Sequence, residues 1–224
     1  MNTAIIVAAG SGKRFGADKP KQFLALAGKP VIIHTLQRFE DCASVDEIVL
    51  VLSADAIEGF RNIVESHELK KLKTIVAGGE TRAGSVWNGL QAIENAEIVL
   101  VHDGARPLVS VAEIAATIEK AKETGAACLV APVTDTIKEI EADKIVKTVD
   151  RSKLRRGLTP QAFRLEILRR AFAQNMQLEA TDESFLVEQS GVFVSIVEGS
   201  ARNIKITTPE DLILAEALLK NSIK

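Results

Sequence analysis

Four cations, Lys13, Arg14, Lys19 and Lys21, fall within nine residues near the start of the chain, in and just after the glycine run AAGSGKRFG. The run ends a β-prone stretch at residues 3–10, and the carboxyl ends of strands are where open α/β sheets bind ligands. Glycines there let backbone N–H groups approach phosphate oxygens. No window matches the Gly, four residues, Gly-Lys-Ser/Thr spacing of a Walker loop. Gly10, Gly12 and Gly16 give G-x-G-x-x-x-G, one residue longer than the dinucleotide fingerprint. The length and the local charge suit a triphosphate better than a dinucleotide, and better than a solvated basic loop.

Two further strand ends carry chemistry. Gly78-Gly79-Glu80-Thr81-Arg82 precedes a helical stretch with Ser85 in its first turns, where backbone and hydroxyl are placed to read a base or sugar. The alternative is an ordinary helix start. His102-Asp103-Gly104-Ala105-Arg106-Pro107 follows a buried-looking strand. An aspartate at that end, beside a polyphosphate, is a natural magnesium ligand, because magnesium commonly takes one or two carboxylates and completes its shell with phosphate and water. Taken alone, Asp103 equally reads as a turn or cap residue. Arg106 offers a planar fork for phosphate, and His102 reads as a packing or hydrogen-bonding residue.

These segments sit in a chain of 224 residues with 46% hydrophobic and 26% charged residues and a net charge of -2. Wholesale disorder is excluded. No basic excess marks a nucleic-acid surface, and with no Tyr, one Trp and eight Phe there is no stacking platform for single strands. Cys42 and Cys128 are too few for a disulfide framework or a zinc site and read as structural. The start MNTAIIVAAGSG lacks the basic segment and long apolar core of a signal peptide, and no run approaches the about 20 apolar residues of a membrane span. The expectation is a cytoplasmic protein without membrane or nucleic-acid partners.

The chain alternates strand and helix. Residues 3–10, 46–53, 73–79, 96–104 and 126–132 are apolar on consecutive positions, as in strands covered on both faces. Residues 30–41, 54–68, 81–95 and 110–124 are amphipathic, with Pro30 at a first helical turn and Ser110 and Glu113 spaced as a capping box. This predicts one α/β domain over residues 1–224, a Rossmann-like three-layer sandwich around a mainly parallel mixed sheet. Residues 133–156 break the rhythm and read as a protruding β-arm, a dimerisation element packed on a second subunit, or else as a long surface loop. Strands are expected again at 191–199 and 201–207, and Thr208-Pro209-Glu210-Asp211 opens a last helix.

Taken in order, AAGxGxR, PKQ, GGxxRxxSV, HDxARP, TPQ and TDE closely resemble the 2-C-methyl-D-erythritol 4-phosphate cytidylyltransferases of the non-mevalonate isoprenoid pathway. AAGxGxR alone marks the wider nucleotidyltransferase group. The resemblance implies the nucleotide-diphospho-sugar transferase fold and a CTP-dependent transfer giving a CDP-alcohol and pyrophosphate. It implies that Arg14 and Lys21 stabilise the transition state, and that Ala8, Ala9, Gly10, Ser11, Gly12, Gly79 and Ser85 bind CTP. It assigns the metal contact, Mg2+ or another divalent cation, to Asp103. Arg106, Thr136, Arg151, Thr159, Thr181 and Lys205 would surround the polyol phosphate, with Arg151 and Lys205 positioning it. Gly104 departs from the alanine often found there. Two rival functions are a ribitol-5-phosphate cytidylyltransferase, separable by parallel acceptor assays, and a non-catalytic nucleotide-binding module, separable by pyrophosphate release.

Overall fold

The computed structural model describes residues 1–10 and 23–220. Seven strands form one sheet. The four apolar runs at its heart are β1 (Asn2–Ala8), β4 (Glu47–Leu52), β6 (Ile98–Asp103) and β7 (Ala126–Pro132), and nearly every residue in them is buried. Such runs cannot alternate in polarity because helices cover both faces. β5 (Leu72–Ala77) and β11 (Ser195–Glu198) take the two edges. β1 pairs in parallel with β4 and β6, β4 with β5, and β11 with β7. β10 (Arg155–Arg164) is inserted between β6 and β7, antiparallel to both.

The period of two along β1 divides the core. Ala4, Ile6 and Ala8 pack with α1 (Val31–Glu40), α2 (Ile57–Glu65) and α4 (Val111–Thr124). Ile5 and its neighbours Val49, Val99 and Val101 pack with α3 (Arg82–Gln91), α5 (Leu165–Asn175) and α6 (Glu183–Gln189). A three-layer α/β sandwich results. α4 carries the expected capping box, with Ser110 and Glu113 bonded reciprocally, and ends at Gly125 in the left-handed region. β2 (Ala25–Leu26) and β3 (Lys29–Pro30) form a small hairpin before α1. α7 (Pro209–Lys220) closes the described chain, with Asp211 accepting from the amides of Thr207 and Thr208. No helix among the described residues is long and apolar enough to cross a membrane.

Several expectations are corrected. Pro30 is the residue before α1, not its first turn. Residues 54–68 divide into a 3-10 turn, Ala54–Ala56, and a shorter α2, and α3 stops at Gln91. The strand expected at 191–199 contracts to β11. No strand forms at 201–207, because the hydrogen bonds of that segment go elsewhere: Ile206 N–H donates to the Ala105 carbonyl and the Asn203 amide side chain to the Thr159 carbonyl. Within residues 133–156, β8 (Ile137–Glu141) and β9 (Lys144–Val149) pair only with each other, and Arg155 and Arg156 already belong to β10.

Candidate active site

β1, β4, β5 and β6 run parallel, so their carboxyl ends open on the same side of the sheet. The loop ends touch closely. Gly78 N–H donates to the Leu52 carbonyl at 2.7 Å, and Gly104 N–H to the Val7 carbonyl at 2.8 Å. A Cβ on Gly78 would overlap the Cβ of Ala9 and come within 2.9 Å of Ser85 Oγ. One on Gly104 would lie 2.8 Å from Ile32 Cδ1 and 2.9 Å from Ala8 Cβ. The alanine expected from the resemblance at position 104 therefore has no room beside Ala8 and Ile32 in this chain. Ala8, Ala9 and Gly79 are thereby gathered at this rim, and Gly10 follows Ala9 directly.

Ser85 is buried and faces its own loop. Its Oγ accepts from Gly79 N–H at 3.1 Å and donates to the Thr81 carbonyl at 2.9 Å, so its described bonds shape the turn at the start of α3. Thr81 caps that helix, accepting from Gly84 N–H at 2.9 Å.

Asp103, the last residue of β6, is the electrostatic centre. Arg82 Nε lies 3.2 Å from its Oδ1, while Lys205 Nζ at 3.0 Å and Arg106 Nε at 3.3 Å meet Oδ2. Burial disfavours its charge, but Arg82, Lys205 and Arg106 outweigh burial and hold the carboxyl well below the usual carboxylate range. Each cation is placed by a separate element. Arg82 opens α3 and also meets Glu183 Oε1 at 2.7 Å. Arg106 donates to the Asn203 carbonyl at 2.8 Å. Lys205 is carried by the segment that Asn203 and Ile206 pin to Thr159 and Ala105.

Thr159 is buried, and its hydroxyl accepts from Asp103 N–H at 3.1 Å and meets His102 Nδ1 at 3.0 Å. Its described contacts hold Asp103 in register. His102 Nε2 lies 3.1 Å from the Arg106 carbonyl, and burial pushes the imidazole down to about 3. Neutral at physiological pH and bonded at both nitrogens, His102 holds the loop.

Thr136, Arg151 and Thr181 are exposed. Arg151 donates to the Thr134 carbonyl beside the β8–β9 hairpin, and no described bond joins Arg151 or Thr136 to the Asp103 cluster. Ser11, Gly12, Arg14 and Lys21 lie outside the described residues. Cys42 and Cys128 are both buried and unpaired, and burial pushes the Cys128 thiol up to about 11.

The structure adds residues to those expected. Arg82 stands in plain view inside GGETR, yet nothing in that segment alone gives it a task. Glu183, Asp182, Gln161 and Asn203 form a supporting layer: Gln161 donates to Asp182 and accepts from Ser184 N–H, and Asp182 caps α6. TPQ, TDE and NIK spell these residues, but only the folded strand order brings them behind Asp103.

Comparison with known proteins identifies the family. The family model described as 2-C-methyl-D-erythritol 4-phosphate cytidylyltransferase matches residues 2–221. A protein of that name from Bacillus velezensis is 48% identical over 219 residues, covering 96% of this chain and 94% of its own. Another, from Halalkalibacterium halodurans, is 43% identical, covering 97% of this chain and 96% of its own. The crystal structure of a 4-diphosphocytidyl-2C-methyl-D-erythritol synthase from Anaerococcus prevotii superposes with a TM-score of 0.86 at 33% identity, covering 98% of this chain and 96% of that one. The corresponding cytidylyltransferase from Thermus thermophilus gives 0.79 at 37% identity, covering 98% of this chain and 100% of that one. With nearly the whole length matched in sequence and in fold, this chain belongs to the 2-C-methyl-D-erythritol 4-phosphate cytidylyltransferase family.

Proposed function

We infer that the chain transfers CMP from CTP to 2-C-methyl-D-erythritol 4-phosphate, giving 4-diphosphocytidyl-2-C-methyl-D-erythritol and pyrophosphate for isoprenoid synthesis. The observation that carries the chemistry is the convergence of Arg82, Arg106 and Lys205 on Asp103 beside the glycine-lined strand ends. An oxygen of the acceptor phosphate forms a bond to the α-phosphorus of CTP. The bond from that phosphorus to the bridging oxygen breaks, and pyrophosphate leaves. A phosphate monoester is already anionic near neutral pH, so its attack needs no general base. His102, neutral and fully engaged, agrees with that. What the reaction demands is alignment of two anions and neutralisation of their charge.

Arg106 and Lys205 are suited to the acceptor phosphate, with Thr159 steadying the end of β6 beneath them. Arg14 and Lys21 are assigned to the developing charge on the phosphorus and the leaving group. Ala8 to Gly12, Gly79 and Ser85 are assigned to the nucleotide, and Thr136, Arg151 and Thr181 to the acceptor. Among the described residues no three His, Cys, Asp or Glu side chains gather around one point. Asp103, held ionised at the end of β6, is the carboxylate that would hold a magnesium ion, which would draw its other ligands from phosphates and water. Bound there, the ion would neutralise phosphate charge as pyrophosphate departs.

The active assembly is a homodimer joined through residues 133–156. The β8–β9 hairpin pairs with no other strand among the described residues, and its cross-strand neighbours Ile140 and Ile145 are 67% and 63% exposed. A lone two-stranded hairpin is marginal in water, so such apolar surface gains by being covered. Both substrates are phosphorylated anions that do not cross lipid, which suits a cytoplasmic reaction. The test is a pyrophosphate-release assay with CTP and magnesium, run in parallel with 2-C-methyl-D-erythritol 4-phosphate and ribitol 5-phosphate. Turnover confined to the first acceptor is expected. Preference for ribitol 5-phosphate, or no release with either, refutes the assignment.

A further inference from the structure

Arg82 touches both carboxylates behind the site. Its Nε is 3.2 Å from Asp103 Oδ1 and its Nη1 is 2.7 Å from Glu183 Oε1. Glu183 is 1% exposed, and its second oxygen, Oε2, has no hydrogen-bond partner among the described residues. A buried ion pair with half of one carboxylate unsatisfied is a poor device for stability. Desolvation offsets the attraction, and an apolar pair of similar volume is often as stable or better. The geometry has a different use. A guanidinium is planar and rigid, so fixing Nη1 on Glu183 also fixes where Nε points. That nitrogen meets the one oxygen of Asp103 that Arg106 and Lys205 leave to it. Glu183 is held in turn, since it opens α6, which Asp182 caps and Gln161 ties to β10.

Arg82 also joins two halves of the site. It begins α3, directly after the Gly79–Thr81 turn, while Glu183 lies two residues beyond Thr181 on the opposite loop. We propose that Arg82, braced by Glu183, is a positioning residue for cytidylyl transfer: it sets the orientation of the Asp103 carboxylate and locks the nucleotide-side turn to the acceptor-side loop. The proposal rests on the transfer activity inferred above.

The test is a double-mutant cycle on Arg82→Ala and Glu183→Ala, with Arg82→Lys and Glu183→Gln as conservative variants. It reads kcat, both KM values, the thermal midpoint, and CTP binding by calorimetry without divalent metal. Arg82→Ala is expected to lower kcat on the order of 10²-fold, with KM for CTP and metal-free CTP binding within about threefold of the parent. Glu183→Ala should fall to a similar level, and the double variant should lose little more than Arg82→Ala alone, because the two act as one unit. Glu183→Gln keeps the size and one acceptor oxygen and should recover about tenfold over Glu183→Ala. Arg82→Lys, unable to reach both carboxylates with a planar fork, should stay well below the parent. If the Ala variants do not fold, the Lys and Gln variants decide by the same kcat criterion. Parent-level kcat with only a lowered midpoint, or losses that add independently, would overturn the proposal. A parent that releases no pyrophosphate would instead overturn the transfer activity itself.

Discussion

Lys205 Nζ lies 3.0 Å from Asp103 Oδ2, so the lysine expected at the acceptor phosphate rests on the carboxylate expected at the metal. Lys205 is about a third exposed, whereas Arg106, on the same oxygen, is more enclosed and anchored to the Asn203 carbonyl. Of the two, Lys205 is the freer to exchange a carboxylate for a phosphate. Arg106 is built into the wall.

From this arrangement Lys205→Ala should weaken the acceptor selectively. We expect KM for the polyol phosphate to rise about tenfold or more, with KM for CTP within about threefold, since charge-assisted contacts to a phosphate are worth roughly 1.5–3 kcal/mol. Initial-rate measurements over both substrates check this. An equal rise in both KM values would place Lys205 on the nucleotide instead.

Asp103→Asn should have a two-sided effect. The amide keeps the size of the side chain but leaves Arg82, Arg106 and Lys205 facing a neutral group. Turnover should drop on the order of 10²-fold, with partial recovery at high magnesium. Metal-free CTP, measured calorimetrically, should bind more tightly to the variant, because the local potential has become more positive. Full activity of Asp103→Asn at low magnesium would return Asp103 to a turn residue.

Much of this can be read from the chain alone. β1, β4, β6 and β7 announce themselves by unbroken apolar runs, and the HDGARP end of β6 announces the cluster. β10 is hidden because its first residues, Arg155 to Gly157, are exposed and without an apolar side chain, and its buried stretch is interrupted by Pro160 and the polar Gln161. Without β10 there is no sign that β6 and β7 are not neighbours. Arg82 and Glu183 are about a hundred positions apart, and nothing in local periodicity links an arginine in a glycine turn to a glutamate at a distant helix start. The resemblance assigns Lys205 of NIK to a phosphate, but its contact with Asp103 depends on a segment expected as a strand that instead crosses the end of β6.

Acid should destabilise the fold through its histidines. Burial pushes His102 from 6.5 down to about 3, so the unfolded chain takes up a proton near pH 6.5 that the folded chain refuses. The stability it contributes is fully present above pH 6.5 and is lost as the pH falls below that, by up to about 1.4 kcal/mol per pH unit. His34, lowered by burial but only half-buried, adds a smaller effect of the same sign. Asp103, also held low, joins only nearer its ordinary value of 3.8, whereas Glu183, raised by burial, takes up its proton above 4.5 in the folded chain and opposes the histidines from there down to 4.5. Denaturant titrations between about pH 7.5 and pH 5 on the parent and on His102→Gln isolate the His102 contribution as the difference between the two, because Glu183 is common to both. Stability should fall more steeply with acid in the parent than in His102→Gln, and equal pH dependence in the two proteins would contradict this account.

The hairpin makes the last prediction. Arg151 follows β9 and bonds to the Thr134 carbonyl, with no described bond to the Asp103 cluster of its own chain. In a two-fold dimer a hairpin that reaches one partner is matched by the partner's reaching back. Each site would then combine Arg14 and Lys21 from one protomer with Arg151 from the other. Arg14→Ala and Arg151→Ala should each be nearly inactive alone. Co-folded in equal amounts with random pairing, about half of the dimers are mixed. In a mixed dimer one site carries both defects and the other carries none. Activity should therefore return to roughly a quarter of the parent's. If Arg151 serves its own chain, every site in a mixed dimer holds one defect and no activity returns. Sedimentation and exchange of a labelled protomer establish that mixed dimers form, so a silent mixture would then rule out the shared site.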